Sequence, residues 1–247
     1  MTNFLIAARN LIRNRRRAAI ALLTIGGAAI AMVLADGFVQ WILWAMREGT
    51  IQSQTGHVQV VRPGYFQSGA ADPFAFVIPQ ARPERQEIET TPGVKVVAPR
   101  LSVTGLASHG ETSVAFIGEG VDPAREKDLS KAFRIVAGKN LAGVDAHEVI
   151  LGRGLARALG VEAGATVALL ANTRSGGINA VEARVAGIFI TGSQAYDNTA
   201  LRLPLGLAQT LTRADGAHAW LVLLDDTERT DATLRALRTR YAKAAGE

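Results

Sequence analysis

The glycine residues are the first part of this sequence to examine for chemistry. Gly152, Gly154 and Gly160 follow an apolar segment, but they lack the GxGxxG spacing of a dinucleotide-binding loop. The sequence also lacks the GxxxxGKS or GxxxxGKT pattern of a phosphate-binding loop. We interpret the three glycines as turn residues at the boundaries of a strand and a helix. We therefore expect no cofactor, and no ATP hydrolysis through a phosphate loop of this chain.

The histidines lack the paired spacing of a zinc site. They are His57, His109, His147 and His218. We interpret them as surface or strand positions, and we expect no metal site. Cysteine is absent from the sequence, so disulfides and thiolate ligands are excluded.

Acidic and charged segments offer no better catalytic candidate. Asp225 and Asp226 follow an apolar strand and are interpreted as solvated turn residues. The charged segment 81–89 is interpreted as the exposed face of a short helix. A GxSxG nucleophile elbow is absent. The sequence therefore predicts that the chain is not an enzyme.

Positive charge is concentrated at the beginning of the chain. Residues 1–17 contain five arginines and no acidic residue. These are Arg9, Arg13, Arg15, Arg16 and Arg17. Of the 27 basic residues in the chain, 22 therefore remain for the rest, against 22 acidic residues. A basic N-terminal segment, followed by a chain without net charge, fits the rule for membrane orientation. The absence of net positive charge in the rest of the chain excludes a nucleic-acid partner.

An apolar segment directly follows the arginines. Residues 18–35 contain no charged side chain, and a helix of this length covers about 27 Å, close to the thickness of a bilayer core. Asp36, Trp41 and Trp44 follow and are assigned to the membrane interface. A cleaved signal peptide and the buried helix of a soluble protein are the alternatives. The arginines predict that the N-terminus is cytoplasmic and that the bulk of the chain lies outside.

The charge and hydropathy patterns divide the chain into four segments. Residues 1–17 are a cytoplasmic basic segment, and residues 18–46 are a transmembrane helix with an interfacial extension. Residues 47–228 are predicted to form a periplasmic domain with a stalk that continues the membrane helix to about Gln54. Residues 229–247 are predicted to form a return stalk helix.

The periplasmic segment is predicted to be a mixed α+β domain, because runs of strands are interrupted by short helices without regular βαβ alternation. The predicted strands cover 57–62, 94–106, 112–118, 165–171, 180–190 and 219–226, and residues 148–160 give a strand followed by a helix. Pro99 is expected to interrupt the second strand. The predicted short helices cover 84–91, 204–213 and 230–245, and the last carries Leu234, Leu237 and Tyr241 on one face.

Several segments in a fixed order carry a family resemblance. ARNLIRNRRR precedes the apolar helix, GHVQVVRPGY follows it, and a PGV turn then leads to VVAPRLSVTGLA. The order continues through Ile117–Ser130, Val136–Leu170 and Ala195–Leu211. This set resembles the permease subunits of ABC transporters of the MacB/FtsX group, and particularly the lipoprotein-releasing LolC/LolE type.

The resemblance implies a MacB-like periplasmic core domain between the first and second membrane helices of a four-helix subunit in the bacterial inner membrane. It implies an ABC-type ATPase subunit, a second permease subunit and the lipid bilayer as partners, with a periplasmic carrier or adaptor as a further candidate. ATPase-driven motion would be transmitted to the periplasmic domain. On this basis the chain is a truncated permease, and three further membrane helices are expected after Glu247. The connection between Leu170 and Val181 is shorter than the carrier-docking loop of LolC-type members.

Two other classes of protein remain open at this point. The first is a single-pass anchored binding or scaffold protein that is complete at Glu247, and the coding sequence beyond that residue would distinguish it from a permease. The second is an anchored periplasmic hydrolase, which would need a nucleophile and a base that the sequence does not reveal.

Overall fold

The computed structural model describes Arg9 and residues 13–241. The chain divides into two compact units, Met1–Glu48 and Gly49–Glu247. The first unit consists mainly of helix α1, Arg15–Thr50, which extends two residues into the second. Alanine, leucine and isoleucine are abundant in this helix, and it contains no proline.

Helix α1 is apolar on all sides. Its most apolar 18-residue window has a mean hydropathy of 2.3, and none of that window is buried within the described chain. Leu23 and Met32 are 75% and 77% exposed. A helix that is hydrophobic all round needs an apolar environment, and this one is long and apolar enough to cross a membrane.

The described part of the second unit contains a nine-stranded mixed sheet. Its strands are β1 Val58–Val61, β2 Val94–His109, β3 Thr112–Val121, β4 Arg134–Gly138, β5 Glu148–Gly152, β6 Thr166–Asn172, β7 Ile178–Ile190, β8 Ala200–Pro204 and β9 Ala219–Leu224. The order is β1-β9-β2-β3-β8-β5-β7-β4, and β6 pairs with both β2 and β7. The β3–β8 and β5–β7 pairs are parallel, and the other pairs are antiparallel.

Short helices connect and cover the strands. They are α2 Tyr65–Ser68, α3 Glu84–Glu89, α4 Arg153–Leu159, α5 Gln194–Asp197, α6 Leu205–Thr212 and α7 Thr230–Tyr241. A π-helical turn, Ile51–Thr55, follows α1 and is named the stalk turn below. Single 3₁₀ turns occur at Pro73–Phe76, Glu126–Asp128 and Thr227–Arg229. The predicted α+β class is confirmed.

Two main apolar cores hold the sheet. The larger core lies among strands β2, β3 and β5–β8 and helices α4 and α6, with Phe116, Leu151 and Leu169 almost completely buried. The second core joins β1, β2 and β9 to α3 and α7 through Trp220, Ile88 and Leu237. Leu234 and Tyr241 pack against this second core, so the predicted apolar face of the last helix is confirmed.

The sequence-based prediction is wrong at two positions in this region. Pro99 does not interrupt β2, which runs through it and pairs Pro99 with Trp220 of β9. Strand β3 joins β2 only from Arg100, so β2 has β9 as its ladder partner at Pro99, and prolines are tolerated where a strand has an unpaired side. His218 is neither on the surface nor in a strand, because it is 1% exposed and precedes β9. Strands β4 and β8 were not predicted.

Gly105 is the first of four β2 residues, 105–108, that pair with β3 and β6 at once. A Cβ atom there would lie 2.0 Å from the backbone oxygen of Leu170, so the Gly105→Ala variant must separate β2 from β6. We expect it to lower the free energy of unfolding by about 1–3 kcal/mol, measured by denaturant titration of the purified protein. Gly143→Ala is the control, because a Cβ atom at Gly143 meets nothing within 4 Å. Equal stability of the two variants would contradict the close approach.

Candidate functional site

Four charged side chains meet inside the second unit and are named the ionic cluster below. Arg100 lies on β2, Glu119 on β3 and Arg202 on β8, while Glu126 begins a 3₁₀ turn after β3. Glu119 and Arg202 stand directly opposite each other in the parallel β3–β8 pair. Strand register therefore brings together charges that are far apart in the sequence.

Arg100 and Glu126 form the centre of the ionic cluster. Nε of Arg100 donates to Oε1 of Glu126 at 2.7 Å, and Nη2 donates to Oε2 at 2.9 Å. The two residues are 6% and 4% exposed. This two-bond geometry matches the fork of the guanidinium to the carboxylate, which is the arrangement that best offsets the loss of hydration.

Arg202 completes the charge balance of the ionic cluster. Its Nη2 donates to Oε2 of Glu119 at 2.8 Å, and its Nη1 donates to Oγ of Ser130 at 2.5 Å and lies 3.5 Å from Oε2 of Glu126. Its guanidinium carbon lies 3.7 Å from the ring centroid of Phe133, within the range of a cation–π interaction. Two cations and two anions therefore neutralise one another in a buried region.

The pKa values of the cluster residues reflect this pairing. Burial by itself would lower the pKa of Arg100, but the carboxylates of Glu119 and Glu126 outweigh it, and the pKa is raised. Burial by itself would raise the pKa of Glu126, but Arg100 and Arg202 outweigh it, and the pKa is lowered. The charged form of each residue is therefore favoured in the folded protein.

The ionic cluster is connected to the stalk turn. Nη1 of Arg100 donates to the backbone oxygen of Gln54 at 2.9 Å. The last carbonyl groups of a helix have no intrahelical partner and carry partial negative charge, so a buried cation is well suited to bind one of them. A cavity of about 620 Å³ lies beside this contact, and its lining includes Ser53, Thr55, Phe133, Tyr196 and Arg202.

His57 connects the segment after the stalk turn to the segment before helix α7. Its backbone N–H donates to the oxygen of Val222, and its Nδ1 accepts a hydrogen bond from the backbone N–H of Leu224 at 3.0 Å. Its Nε2 lies 3.0 Å from Oγ1 of Thr227. One side chain therefore fixes the two ends of the folded domain to each other.

Helix α7 is held on α3 as well as in the second core. The hydroxyl of Tyr241 donates to Oε2 of Glu87 at 3.0 Å, and Nη2 of Arg240 lies 3.2 Å from the same oxygen. The charged segment 81–89 is thus only partly the solvated face that the sequence predicts, since Glu87 binds α7 and Ile88 is 1% exposed. Both segments that lead out of the domain are attached to the β9 and α3 region.

The residues that the sequence assigns to the membrane lie outside the ionic cluster. Arg9, Arg13 and Arg15–Arg17 are exposed and lie before or within the first turn of α1. Asp36, Trp41 and Trp44 are exposed on α1, and the ring of Trp41 stacks on Phe38 at 6.2 Å. Their roles in topology and at the interface stay predictions. Among residues 9 and 13–241, no group of three or more histidine, aspartate or glutamate side chains is arranged for a metal ion.

The ionic cluster was not predicted from the sequence, although charged residues within the strands indicate it. Glu119 and Arg202 are each the only charged residue of their strand, and Arg100 follows an apolar run of β2. A charge in a buried strand position requires a partner. The sequence does not show which charges pair, because the parallel β3–β8 register brings residues from separate segments together. Nothing in the sequence marked His57 as a residue that joins two segments, apart from its position at the start of a predicted strand.

The fold and these contacts define a class of protein, an α+β domain that follows a helix of membrane length and in which His57 is bound to β9 and helix α7 is bound to α3. A family model described as the MacB-like periplasmic core domain matches residues 18–240, and the chain belongs to this family. The family is found in ABC-type transporter permeases, so the resemblance to the MacB/FtsX group is confirmed. The narrower likeness to LolC/LolE stays a prediction.

Two solved structures share the fold. The extracellular domain of the noncanonic ABC-type transporter YknZ from Gram-positive bacteria has a TM-score of 0.54 and 14% identity, over 74% of this chain and 93% of that one. The periplasmic region of MacB from Actinobacillus actinomycetemcomitans has a TM-score of 0.53 and 15% identity, over 74% of this chain and 83% of that one. No curated protein matches the sequence. The family places the domain outside the cytoplasm on a membrane-anchored chain.

The Glu126→Ala variant tests the ionic cluster. It leaves two buried guanidinium groups with Glu119 as their remaining carboxylate, so we expect the free energy of unfolding to fall by about 3 kcal/mol or more. Asp128→Ala is the matched control in the same turn, because Asp128 pairs with Lys95 at 3.0 Å with both side chains about 40% exposed. That variant should lose less than about 1 kcal/mol in the same denaturant titration. Similar losses of unfolding free energy in both variants would contradict the buried pairing of charges in the ionic cluster.

The buried side chain of His218 predicts a pH dependence of stability. Burial lowers its pKa, and the backbone of Pro73 only partly offsets this. In the unfolded chain His218 binds a proton with its ordinary pKa of about 6.5, whereas the folded protein disfavours that proton. The contribution of neutral His218 to the free energy of unfolding is therefore fully present above about pH 6.5 and is lost as the pH falls below it. Denaturant titrations between about pH 8 and about pH 5 should show this loss, and His218→Gln should reduce it. An unchanged pH slope in the variant would count against the buried neutral histidine.

Proposed function

We propose that this chain supplies the first membrane helix and the periplasmic domain of an ABC transporter permease, and that it transmits ATPase-driven motion of the membrane helices to that domain. A partner ATPase subunit hydrolyses the ATP, and this chain does not. The family supports a transporter permease, and the single observation that supports transmission is the attachment of both connecting segments to the β9 and α3 region.

The contacts that join these segments to the domain are backbone ladders, buried apolar side chains and charge-assisted hydrogen bonds. His57 binds Leu224 and Thr227, while Tyr241 binds Glu87. A displacement of one segment relative to the other must therefore deform the packed sheet, because only residues 56–57 separate the stalk turn from β1 and only residues 225–229 separate β9 from α7. Protein interiors are close-packed, so they transmit strain instead of absorbing it.

The remaining features of the proposal concern the membrane. Arg15, Arg16 and Arg17 form the start of α1 and precede its apolar segment, which supports a cytoplasmic N-terminus and an inner-membrane location. The permease pairs with a second permease subunit, as a homodimer or a heterodimer. Its cargo is of the lipoprotein-release or the MacB-like efflux type, and a periplasmic carrier or adaptor receives it.

The test uses the full-length subunit and its ATPase in lipid nanodiscs. Trapping the complex with ATP and vanadate should change hydrogen–deuterium exchange in β9 and α3. His57→Ala should reduce this change by about fivefold or more while ATP hydrolysis continues, since a lost buried acceptor costs about 1–3 kcal/mol. The observable is independent of the cargo.

Two further variants are controls for this test. His109→Ala removes a histidine at the end of β2 whose Nδ1 lies 2.9 Å from the oxygen of Thr166, and it should leave the exchange response intact. His57→Asn retains an acceptor near the position of Nδ1 and should restore part of the response. If trapping leaves the exchange of the parent domain unchanged, or if His57→Ala responds like the parent, the transmission role is wrong.

A further inference from the structure

Strand β1 lies at one edge of the sheet, and the register shows which of its backbone groups face outward. Pro99 of β2 has no N–H group, so its pair with Trp220 of β9 is a non-hydrogen-bonded pair of that ladder. The N–H and C=O groups of Trp220 therefore point to the other neighbour, where Val60 of β1 stands opposite. Since successive residues of a strand point to opposite sides, Gln59 and Val61 direct their N–H and C=O groups away from β9.

This outer edge of β1 is open to a further strand. Among residues 9 and 13–241, β9 is the only ladder partner of β1. The strand Val58–Val61 contains no charged residue and no proline, which are the features that usually protect an edge from pairing. A row of unpaired N–H and C=O groups is a template on which an extended peptide can add to a sheet.

A cavity of about 520 Å³ opens beside the end of β1 and is named the edge cavity below. Its lining is largely apolar and includes Val60, Ile88, Trp220 and Tyr241. Val60 and Trp220 lie on the face of the sheet that packs on the second core. A residue added opposite Val60 would project its side chain from that same face, so the edge cavity is placed to receive one large apolar side chain.

The rim of the edge cavity carries one uncompensated positive charge. The charged residues in its lining are Arg62, Arg82 and Glu84. Nη1 of Arg82 lies 3.1 Å from Oε1 of Glu84, so these two charges neutralise each other. Nη1 of Arg62 donates to the backbone oxygen of Ala75 at 3.3 Å, and within the described ranges no carboxylate pairs with Arg62. The rim therefore favours an acidic group.

We propose that the free edge of β1 binds an extended acidic segment of a partner protein, which adds to the sheet as an antiparallel strand. Backbone hydrogen bonds to Gln59 and Val61 hold the segment. Its residue opposite Val60 is large and apolar and fills the edge cavity. The residue two positions earlier is acidic and pairs with Arg62, because Arg62 follows Val60 by two positions and antiparallel strands run in opposite directions.

A second copy of this chain fits the edge less well than an acidic segment does. Antiparallel pairing of β1 with β1 of another copy would bring residues 56–61 to the edge, and these contain no acidic residue. Arg62 would then stay without a carboxylate. The docking surface requires no part of the proposed transmission of motion, so its test is run without nucleotide, and failure of either proposal leaves the other standing.

The experiment measures peptide binding to the full-length subunit in nanodiscs of zwitterionic lipid, by fluorescence anisotropy. The probe is a fluorescein-labelled nonapeptide of alternating threonine and valine, with glutamate at its third position and leucine at its fifth. Serine in place of the leucine should weaken binding about tenfold or more, because the apolar anchor is lost. Arg62→Gln should weaken binding of the glutamate peptide roughly threefold to fivefold, as expected for an exposed ion pair. The same variant should bind a peptide with glutamine at the third position as the parent does.

Two N-methylated peptides test strand addition itself, and one protein variant is the control for charge. Methylation at the fourth and sixth positions, which stand opposite Val61 and Gln59, removes the N–H groups that face β1 and should weaken binding about tenfold or more. Methylation at the fifth and seventh positions removes N–H groups that face away and should leave the affinity intact. Arg134→Gln removes an exposed cation from β4, the other edge strand, and should also leave it intact.

The outcomes decide whether the edge of β1 is a docking site and for what. Selective loss of binding on methylation of the fourth and sixth positions, together with the loss in Arg62→Gln, supports the proposal. Equal effects of the two methylated peptides overturn it, and so does a dissociation constant of the parent above about 1 mM. The sequence contains no cysteine, so Gln59→Cys places one thiol of this chain at the edge. Rapid disulfide formation between two such copies would show that a second copy occupies the edge, and the proposal would be wrong.

Discussion

The buried pair of Arg100 and Glu126 is the constraint on which the rest of the domain depends. Removing two charges from water costs several kcal/mol for each ion, and only tight geometry with full pairing offsets that cost. Glu126 must therefore stay in its 3₁₀ turn, and β2 must keep its register with β3, or a charge is left buried alone. The apolar cores supply most of the folding free energy by burial, but many arrangements could bury similar area. The ionic pair selects the arrangement in which three strands and the stalk turn converge.

The same constraint explains why the connection to the stalk turn is polar. A helix that ends against a domain has carbonyl groups without intrahelical partners, and apolar packing cannot satisfy them. Arg100 satisfies the oxygen of Gln54 with a donor that Glu126 leaves free. Apolar packing dominates at the other connecting segment, where Leu237 of α7 fills the second core and Tyr241 adds one hydrogen bond. The two connections therefore differ in kind, since the first is made by charge-assisted hydrogen bonds and the second mainly by apolar packing.

Local patterns in the sequence were sufficient for much of the fold. Hydropathy located α1, and turn residues located the β2–β3 and β6–β7 hairpins, because both signals depend on neighbouring residues. The helical spacing of Leu234, Leu237 and Tyr241 was sufficient to predict the apolar face of α7. Strands β4 and β8 take their register from partners elsewhere in the chain. Four of the five residues of β4 are exposed, and β8 runs directly into α6, so neither shows the local pattern that marks the other strands. Pairing of Glu119 with Arg202 depends on that same long-range register, which is why the site escaped prediction while its individual charges were visible.

The charge balance of the ionic cluster also bears on what the adjacent cavity is for. Two guanidinium groups at the wall of a cavity would normally suggest an anion site, since arginine binds carboxylate and phosphate by its planar fork. Here Glu119 and Glu126 neutralise both arginines, and an incoming anion would have to displace a carboxylate that is itself held in place. An anion therefore gains little at this wall.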